Sequence, residues 1–167
     1  MPELLPWLLV IHVLAAIVGV GPTFAFPLIG AMGGREPAHA NFATRVSLSI
    51  SERYPVPLVA VSGLTGLGMI WAGEFDVFSS EFRWLLVAIG IYIAAYGFAL
   101  FVQVPAVKRV VAMTSGGPPP GAAPGATAGP PPALVEAIGA VKRNGNLLMA
   151  AWTVVVFLMV VKPSLGA

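Results

Sequence analysis

The chain alternates between long apolar stretches without a charged residue and shorter segments that hold the charges. A bilayer core of about 30 Å needs roughly 20 helical residues, and four stretches come close to or exceed that length. These predicted spans cover residues 4–32, 55–73, 84–107 and 144–161. The pattern therefore predicts an all-α integral membrane protein, a bundle of four spanning helices in one transmembrane domain.

The first span is longer than a bilayer requires and carries Pro22 and Pro27 in its second half. Proline breaks the hydrogen-bond ladder of a helix, so we expect this span to be kinked or tilted. The start of the chain holds Glu3 but no Lys or Arg, and the apolar run exceeds that of a signal peptide. We expect the span to remain in the mature protein.

The composition agrees with a membrane location and excludes several classes of protein. Hydrophobic residues make up 57% of the 167 residues and charged residues only 10%, against about 25% charged residues in a soluble domain. The absence of cysteine excludes disulfides, thiolate catalysis and cysteine-based metal sites. A net charge of +2 is too small for nucleic-acid binding, so we expect no nucleic acid among the partners.

The basic residues predict an orientation in the membrane. Loops 33–53 and 108–143 contain seven of the nine Lys and Arg residues, and basic residues stay in cytoplasmic loops. We therefore expect these two loops to be cytoplasmic and both termini to face outwards, N-out/C-out, in the cell's inner (plasma) membrane. The seven basic residues are Arg35, Arg45, Arg53, Lys108, Arg109, Lys142 and Arg143.

Both predicted cytoplasmic loops have a distinctive composition. Residues 114–133 contain seven of the sixteen prolines and five of the nineteen glycines, which is typical of a flexible, partly polyproline II linker. In the other loop, Phe42, Val46 and Ile50 form a stripe that predicts an amphipathic helix along the inner leaflet. Arg45 and Arg53 are suited to contact anionic head groups, although a solvated face explains them equally well.

Small residues occur in both central spans. They let helix backbones approach closely in lipid, where no hydrophobic driving force separates a helix from the acyl chains. We expect the stripes of both spans to face the bundle interior. The stripes consist of Ser62, Gly63, Gly66 and Gly68 in the second span and Gly90, Ala94 and Gly97 in the third.

His12 is the only ionisable side chain of a catalytic or ligand type within the four predicted spans. It lies roughly 12 Å into the first helix at 1.5 Å per residue, and an ionisable residue at membrane depth is a functional candidate. Matching depths on the other spans give its candidate partners. These are the polar residues Thr65, Tyr92 and Thr153, with the Met69 thioether about one turn away.

Three roles for His12 are compatible with this setting. As a neutral side chain hydrogen-bonded to Tyr92 or a threonine, it holds the bundle together. As a metal ligand, it binds the iron of haem b axially, with Met69 or nothing on the opposite side. As a proton relay it lacks support, because no Asp, Glu or Lys lies within the spans to pass the proton on.

Short motifs connect the chain with known families. IHVLAAIVGVG in the first span, the stretch from Pro57 to SGLTG in the second and the closing VVKP resemble an uncharacterised family of bacterial four-helix inner-membrane proteins. The pattern from His12 to Gly21 is also similar to the copper-resistance protein D family and to the bacterial membrane protoporphyrinogen oxidase. The first resemblance implies a four-helix membrane protein of unknown function, and the second implies that His12 takes part in haem or metal chemistry.

No catalytic constellation accompanies His12, since the sequence lacks an HExxH motif and a pair of carboxylates at membrane depth. We therefore expect no enzymatic activity. The first hypothesis is a structural or accessory subunit that binds the lipid bilayer and belongs to a larger membrane complex or a homo-oligomer. The alternatives are a haem b-binding redox protein and a carrier of a small apolar solute.

Overall fold

The computed structural model describes residues 2–115 and 130–163, and these residues form helices joined by short turns, without a strand. The predicted all-α fold is confirmed. The helices are α1 (Leu5–Val20), α2 (Phe26–Arg35), α3 (Ala40–Arg53), α4 (Pro55–Ala72), α5 (Arg83–Phe98), α6 (Val104–Ser115) and α7 (Pro132–Val161).

The helices join into four long runs that are apolar enough to cross a membrane, as predicted. The runs are Leu5–Arg35, Ala40–Ala72, Ser80–Ser115 and Pro132–Val161. Each run is longer than its most apolar part. More polar residues extend the four runs, in order, in α2, α3, α6 and the first turns of α7. Residues 116–129 of the predicted linker lie outside the described residues, and its two ends are helical, in α6 and α7.

Local sequence explains where two of the runs change geometry. The 3₁₀ turn Gly21–Phe24 separates α1 from α2 and contains Pro22, so the regular α-helix is interrupted in the second half of the first span, where the prolines predicted a kink or a tilt. The Thr23 hydroxyl stabilises this turn by donating to the Val20 carbonyl at 2.6 Å. In the third run, a π-helical turn, Ala99–Gln103, separates α5 from α6, and such turns occur frequently at functional sites.

Neighbouring long helices run antiparallel. Gly19 near the end of α1 lies against Val59 near the start of α4, whereas Leu8 lies against Gly68 near the end of α4. The same alternation continues along the chain. Tyr96 near the end of α5 bonds to Val56 at the start of α4, and α5 packs against α7 with Trp84 near Leu158 and Ala95 near Leu148. The result is an up-down-up-down bundle in which the first run also contacts the last, through α2 and α7.

The bundle has a small apolar core and an apolar exterior. The core clusters consist of Val59, Ala95, Leu148, Trp152 and Val155 and, towards one end, of Trp84, Ala88 and Leu158. Large apolar side chains on the outside are exposed to an extent that a water-soluble surface would not tolerate. Leu64 is 69% exposed, Phe101 81% and Val160 74%, which suits contact with acyl chains.

The small-residue stripes behave differently in the two central spans. In α4, Ser62 is buried and a β-carbon at Gly63 or Gly66 would contact a side chain of a neighbouring helix, as expected. In α5 the expectation was wrong, because a β-carbon at Gly90 or Gly97 would meet nothing within 4 Å. The buried face of α5 is instead the one that carries Trp84, Ala88 and Ala95.

Candidate functional site

His12 is hydrogen-bonded to the backbone of α4. Its Nδ1 lies 2.8 Å from the Ser62 carbonyl oxygen, and a carbonyl only accepts, so Nδ1 carries the proton. The Ser62 carbonyl sits inside a helix, but an oxygen with two lone pairs accepts a second hydrogen bond. This contact joins the middle of α1 to the middle of α4.

Two hydroxyl groups of α4 surround the same ring nitrogen. Thr65 Oγ1 is 3.4 Å and Ser62 Oγ 3.5 Å from His12 Nδ1, while Thr65 Oγ1 also lies 2.8 Å from the Val61 carbonyl oxygen. Ser62 is 5% exposed and is the buried polar residue of the described core. Thr65, predicted from its depth, thus lies next to His12.

Space for the imidazole ring comes from a glycine. A β-carbon at Gly66 would lie 3.2 Å from His12 Cε1 and 3.4 Å from Nδ1, so a larger residue would push against the ring. The other ring nitrogen, Nε2, makes no hydrogen bond to any residue in the ranges 2–115 and 130–163. Because Nδ1 holds the proton, Nε2 of the neutral ring presents a lone pair.

Two tyrosines on α5 make a similar connection to α4. Tyr92 donates to the Val59 carbonyl, and Tyr96 donates to the Val56 carbonyl at 2.9 Å. The Tyr92 ring also packs edge-on against Trp152 of α7, with 5.6 Å between ring centroids. Tyr92 therefore contacts both neighbours of α5, but its hydroxyl bonds to Val59 and not to His12.

A fourth polar contact, which the sequence analysis missed, involves Gln103 at the end of the π-helical turn. Its Nε2 donates to the Val141 carbonyl of α7 at 3.3 Å, and its Oε1 is buried without a partner among the described residues. The available signal was a lone amide in the last turns of the third apolar span. An amide does not ionise, so it does not stand out as an ionisable residue at membrane depth does.

Two predicted site residues do not join the His12 contacts. The Thr153 hydroxyl donates to the Met149 carbonyl of its own helix at 2.8 Å and is exposed. Met69 lies one turn beyond Thr65 on α4, and neither residue has a hydrogen bond to His12 within the described chain. The depth match alone did not account for the direction in which each side chain points.

The described residues offer few other means of binding a cofactor. No group of three or more His, Asp or Glu side chains that could hold a metal ion occurs in the ranges 2–115 and 130–163. Two open depressions with volumes of about 480 and 250 Å³ lie along α3 and between α6 and α7. Neither is lined by His12.

Four long apolar helices and an exposed apolar exterior define a multi-pass integral membrane protein. The chain belongs to the family described as "Predicted integral membrane protein (DUF2269)", whose model matches residues 6–163. The predicted family of four-helix membrane proteins of unknown function is thereby confirmed.

No curated protein and no solved structure matches the chain. The more distant similarity to the copper-resistance protein D and protoporphyrinogen oxidase families therefore stays a prediction that depends on the first span alone.

Proposed function

We propose that the protein is a structural or accessory subunit of a membrane assembly, and that its polar interior connects helices. One observation carries this proposal. The four polar side chains His12, Tyr92, Tyr96 and Gln103 each donate to a backbone carbonyl of a neighbouring helix. Each pair of consecutive long runs is linked in this way, through α1–α4, α4–α5 and the third run with α7.

The physical setting supports such a role. Lipid is as apolar as leucine, so helices in a membrane associate through close packing and hydrogen bonds rather than by the hydrophobic effect. A tyrosine that gives its hydroxyl proton to a carbonyl has no second proton to donate to a substrate. In the described residues both tyrosine hydroxyl protons and the Nδ1 proton of His12 are thus committed to the bundle, which favours a structural role over catalysis.

The orientation of the bundle is part of the proposal. Loops 33–53 and 108–143, with seven of the nine basic residues, would face the cytoplasm, and both termini would lie outside the inner membrane. Contacts between α3 and α6 support a shared side for the two loops. Lys108 is 2.8 Å from Glu52, and Asn41 Nδ2 donates to Thr114 Oγ1 at 2.8 Å.

Isolation of the tagged full chain in a mild detergent tests the accessory role. Native electrophoresis with mass spectrometry should show the chain in a species larger than its 17.3 kDa plus detergent, with reproducible partner subunits or further copies of itself. The species should persist in Thr153→Ala, whose hydroxyl bonds within its own helix. A single chain that migrates alone after chemical crosslinking in the membrane would refute the proposal.

Haem b binding is the second candidate, and the free Nε2 of His12 is the observation that favours it. Histidines that bind a metal commonly donate their other N–H to a carbonyl, which fixes the tautomer, and the Ser62 carbonyl takes that part here. Titration of the purified protein with haem tests this candidate. A Soret shift that His12→Ala removes and Thr153→Ala keeps would support it, whereas equal titrations of all three proteins would exclude it.

A further inference from the structure

Three of the four long runs contain a segment that departs from a regular α-helix, and we call these segments the joints. They are the 3₁₀ turn Gly21–Phe24, the residue Tyr54 between α3 and α4, with φ −118° and ψ −69°, and the π-helical turn Ala99–Gln103. The fourth run, α7, is a single helix of 30 residues. Helices α2, α3 and α6 are thus each connected to a long apolar helix through a joint.

The three joints lie at about the same level of the bundle. Gly19 packs against Val59 of α4, so the 3₁₀ turn that follows Gly19 lies level with the first turn of α4, next to Tyr54. Tyr96 bonds to the Val56 carbonyl in that same first turn, and the π-helical turn begins three residues after Tyr96. Hinges in proteins consist of a few such residues at the ends of elements.

Helices α2, α3 and α6 hold one another closely, and together we call them the α2–α3–α6 unit. A β-carbon at Gly33 of α2 would lie 3.0 Å from Ala43 Cβ of α3. Asn41 Nδ2 of α3 donates to a hydroxyl of α6 at 2.8 Å, and Lys108 Nζ of α6 lies 2.8 Å from the Glu52 carboxylate of α3. Close packing, a hydrogen bond and a salt bridge therefore make the unit a single body.

The contact between this unit and α7 is looser. Helices α2 and α6 pack against α7, but in the ranges 2–115 and 130–163 no side-chain hydrogen bond or salt bridge joins α2, α3 or α6 to α7. Packed helices without such bonds can slide past each other. An open depression of about 250 Å³ lies between α6 and α7, and its lining residues are Pro105, Ala106, Arg109, Ala137 and Ala140.

Gln103, in the third joint, shows that this end of the bundle is not optimally bonded. Its Nε2 donates to the Val141 carbonyl of α7 at 3.3 Å, which is longer than the usual distance of about 2.9–3.0 Å. Its Oε1 is buried without a donor among the described residues. A buried acceptor without a donor destabilises the arrangement in which it occurs, so a movement of this joint has an unfavourable feature to relieve.

We propose that the α2–α3–α6 unit is a flap that tilts about the three joints and closes the depression against α7. In the closed arrangement Ala106 meets Ala137 and Ala140 directly, and α6 and α7 approach to about 8 Å between axes, the lower end of the range for packed helices. The unit moves as a rigid body, because the joints absorb the change in backbone dihedral angles. The flap goes beyond the proposed accessory role and does not depend on it.

Double electron–electron resonance on the full chain in lipid nanodiscs tests the flap, since the chain has no cysteine of its own. The pair Phe42→Cys/Val135→Cys places spin labels at exposed positions of α3 and α7. We expect two distances that differ by about 4 Å or more, because the far end of α3 amplifies a change of about 2 Å between α6 and α7. The control pair Leu28→Cys/Phe42→Cys lies within the unit and should give one distance.

A variant that fills the depression tests whether this particular gap closes. Ala140→Leu should remove the shorter of the two distances between positions 42 and 135, whereas Ala150→Leu, at an exposed position of α7 outside the depression, should keep both. A single distance between positions 42 and 135, as narrow as that of the control pair, would overturn the flap. Two distances that both persist in Ala140→Leu would mean a movement that leaves the depression open and would overturn it as well.

Discussion

The hydrogen bond from His12 to the Ser62 carbonyl is a single interaction whose contribution can be measured. We expect His12→Ala to lower the free energy of unfolding by about 0.6–2 kcal/mol, the usual range for a side-chain hydrogen bond between membrane helices. Thr153→Ala is the matched control because its hydroxyl bonds only to its own helix, and it should change stability less. Thermal unfolding midpoints in mild detergent compare the two variants, and equal midpoints would argue against the structural role of His12.

Tyr92 and Gly63 depend on each other. A β-carbon at Gly63 would lie 2.5 Å from the Tyr92 hydroxyl, so Gly63→Ala should displace the ring from the Val59 carbonyl and from Trp152. We expect a loss of about 1–3 kcal/mol, as for overpacked cores. Gly68→Ala is the control, because its β-carbon would make an ordinary 3.5 Å contact with Leu8.

The coupling between Tyr92 and Gly63 predicts that the stability losses of their variants do not add up. Tyr92→Phe alone removes the hydrogen bond to Val59 and should destabilise the protein. Added to Gly63→Ala, which already disrupts that bond, it should destabilise much less. Fully additive losses in a double-mutant cycle of thermal unfolding would show that the two residues act independently.

Part of this site was predictable from residue depth, and part was not. Depth predicts Thr65, which lies at the level of His12 on the next span. Depth does not report rotation about the helix axis, so it also predicts Thr153, whose hydroxyl bonds within its own helix. The main acceptors, the carbonyls of Ser62 and Val59, are backbone groups that no residue type marks.

The close approach of α1 and α4 depends on Gly19. Its β-carbon would lie 3.0 Å from the Val59 backbone nitrogen and 3.1 Å from Leu58 Cβ, and neither atom can rotate away. Gly19→Ala should therefore separate the two helices and destabilise the bundle by about 1–3 kcal/mol. Gly21→Ala is the control, since its β-carbon would meet nothing within 4 Å.

The control variant Gly21→Ala has its own expected effect on stability. Gly21 has right-handed helical dihedral angles, φ −50° and ψ −48°, so alanine there should leave stability unchanged or raise it slightly. Thermal unfolding in detergent measures both variants. A Gly21→Ala variant that loses as much stability as Gly19→Ala would show that close α1–α4 packing is not what Gly19 provides.

The existence of the helices was predictable because length and apolar composition together define a membrane span. The break after α1 was predictable from Pro22. The π-helical turn Ala99–Gln103 and the buried face of α5 were not predictable. One extra residue in a helical turn leaves the apolar composition of the span unchanged. The face of α5 that carries Gly90 points outwards, because Tyr92 and Trp84 occupy the inner side of the helix.

The orientation of the whole molecule yields a further prediction. Because the chain has no cysteine, single cysteines report which side of the membrane a loop occupies. Phe78→Cys, in the loop between α4 and α5, should react with a membrane-impermeant thiol reagent in intact cells. His39→Cys, in the loop between α2 and α3, should react only after permeabilisation, and the reverse pattern would invert the proposed topology.

We propose that the whole bundle is a scaffold whose interior polar groups connect helices. The role of His12 is the part of this proposal that an experiment can contradict most directly. The most direct test is the visible absorption spectrum of the protein as purified in mild detergent, wild type against His12→Ala. We predict that the two spectra superimpose, without a Soret band that depends on His12. A Soret band present in the wild type and absent from a folded His12→Ala variant would contradict the account and identify His12 as a haem ligand.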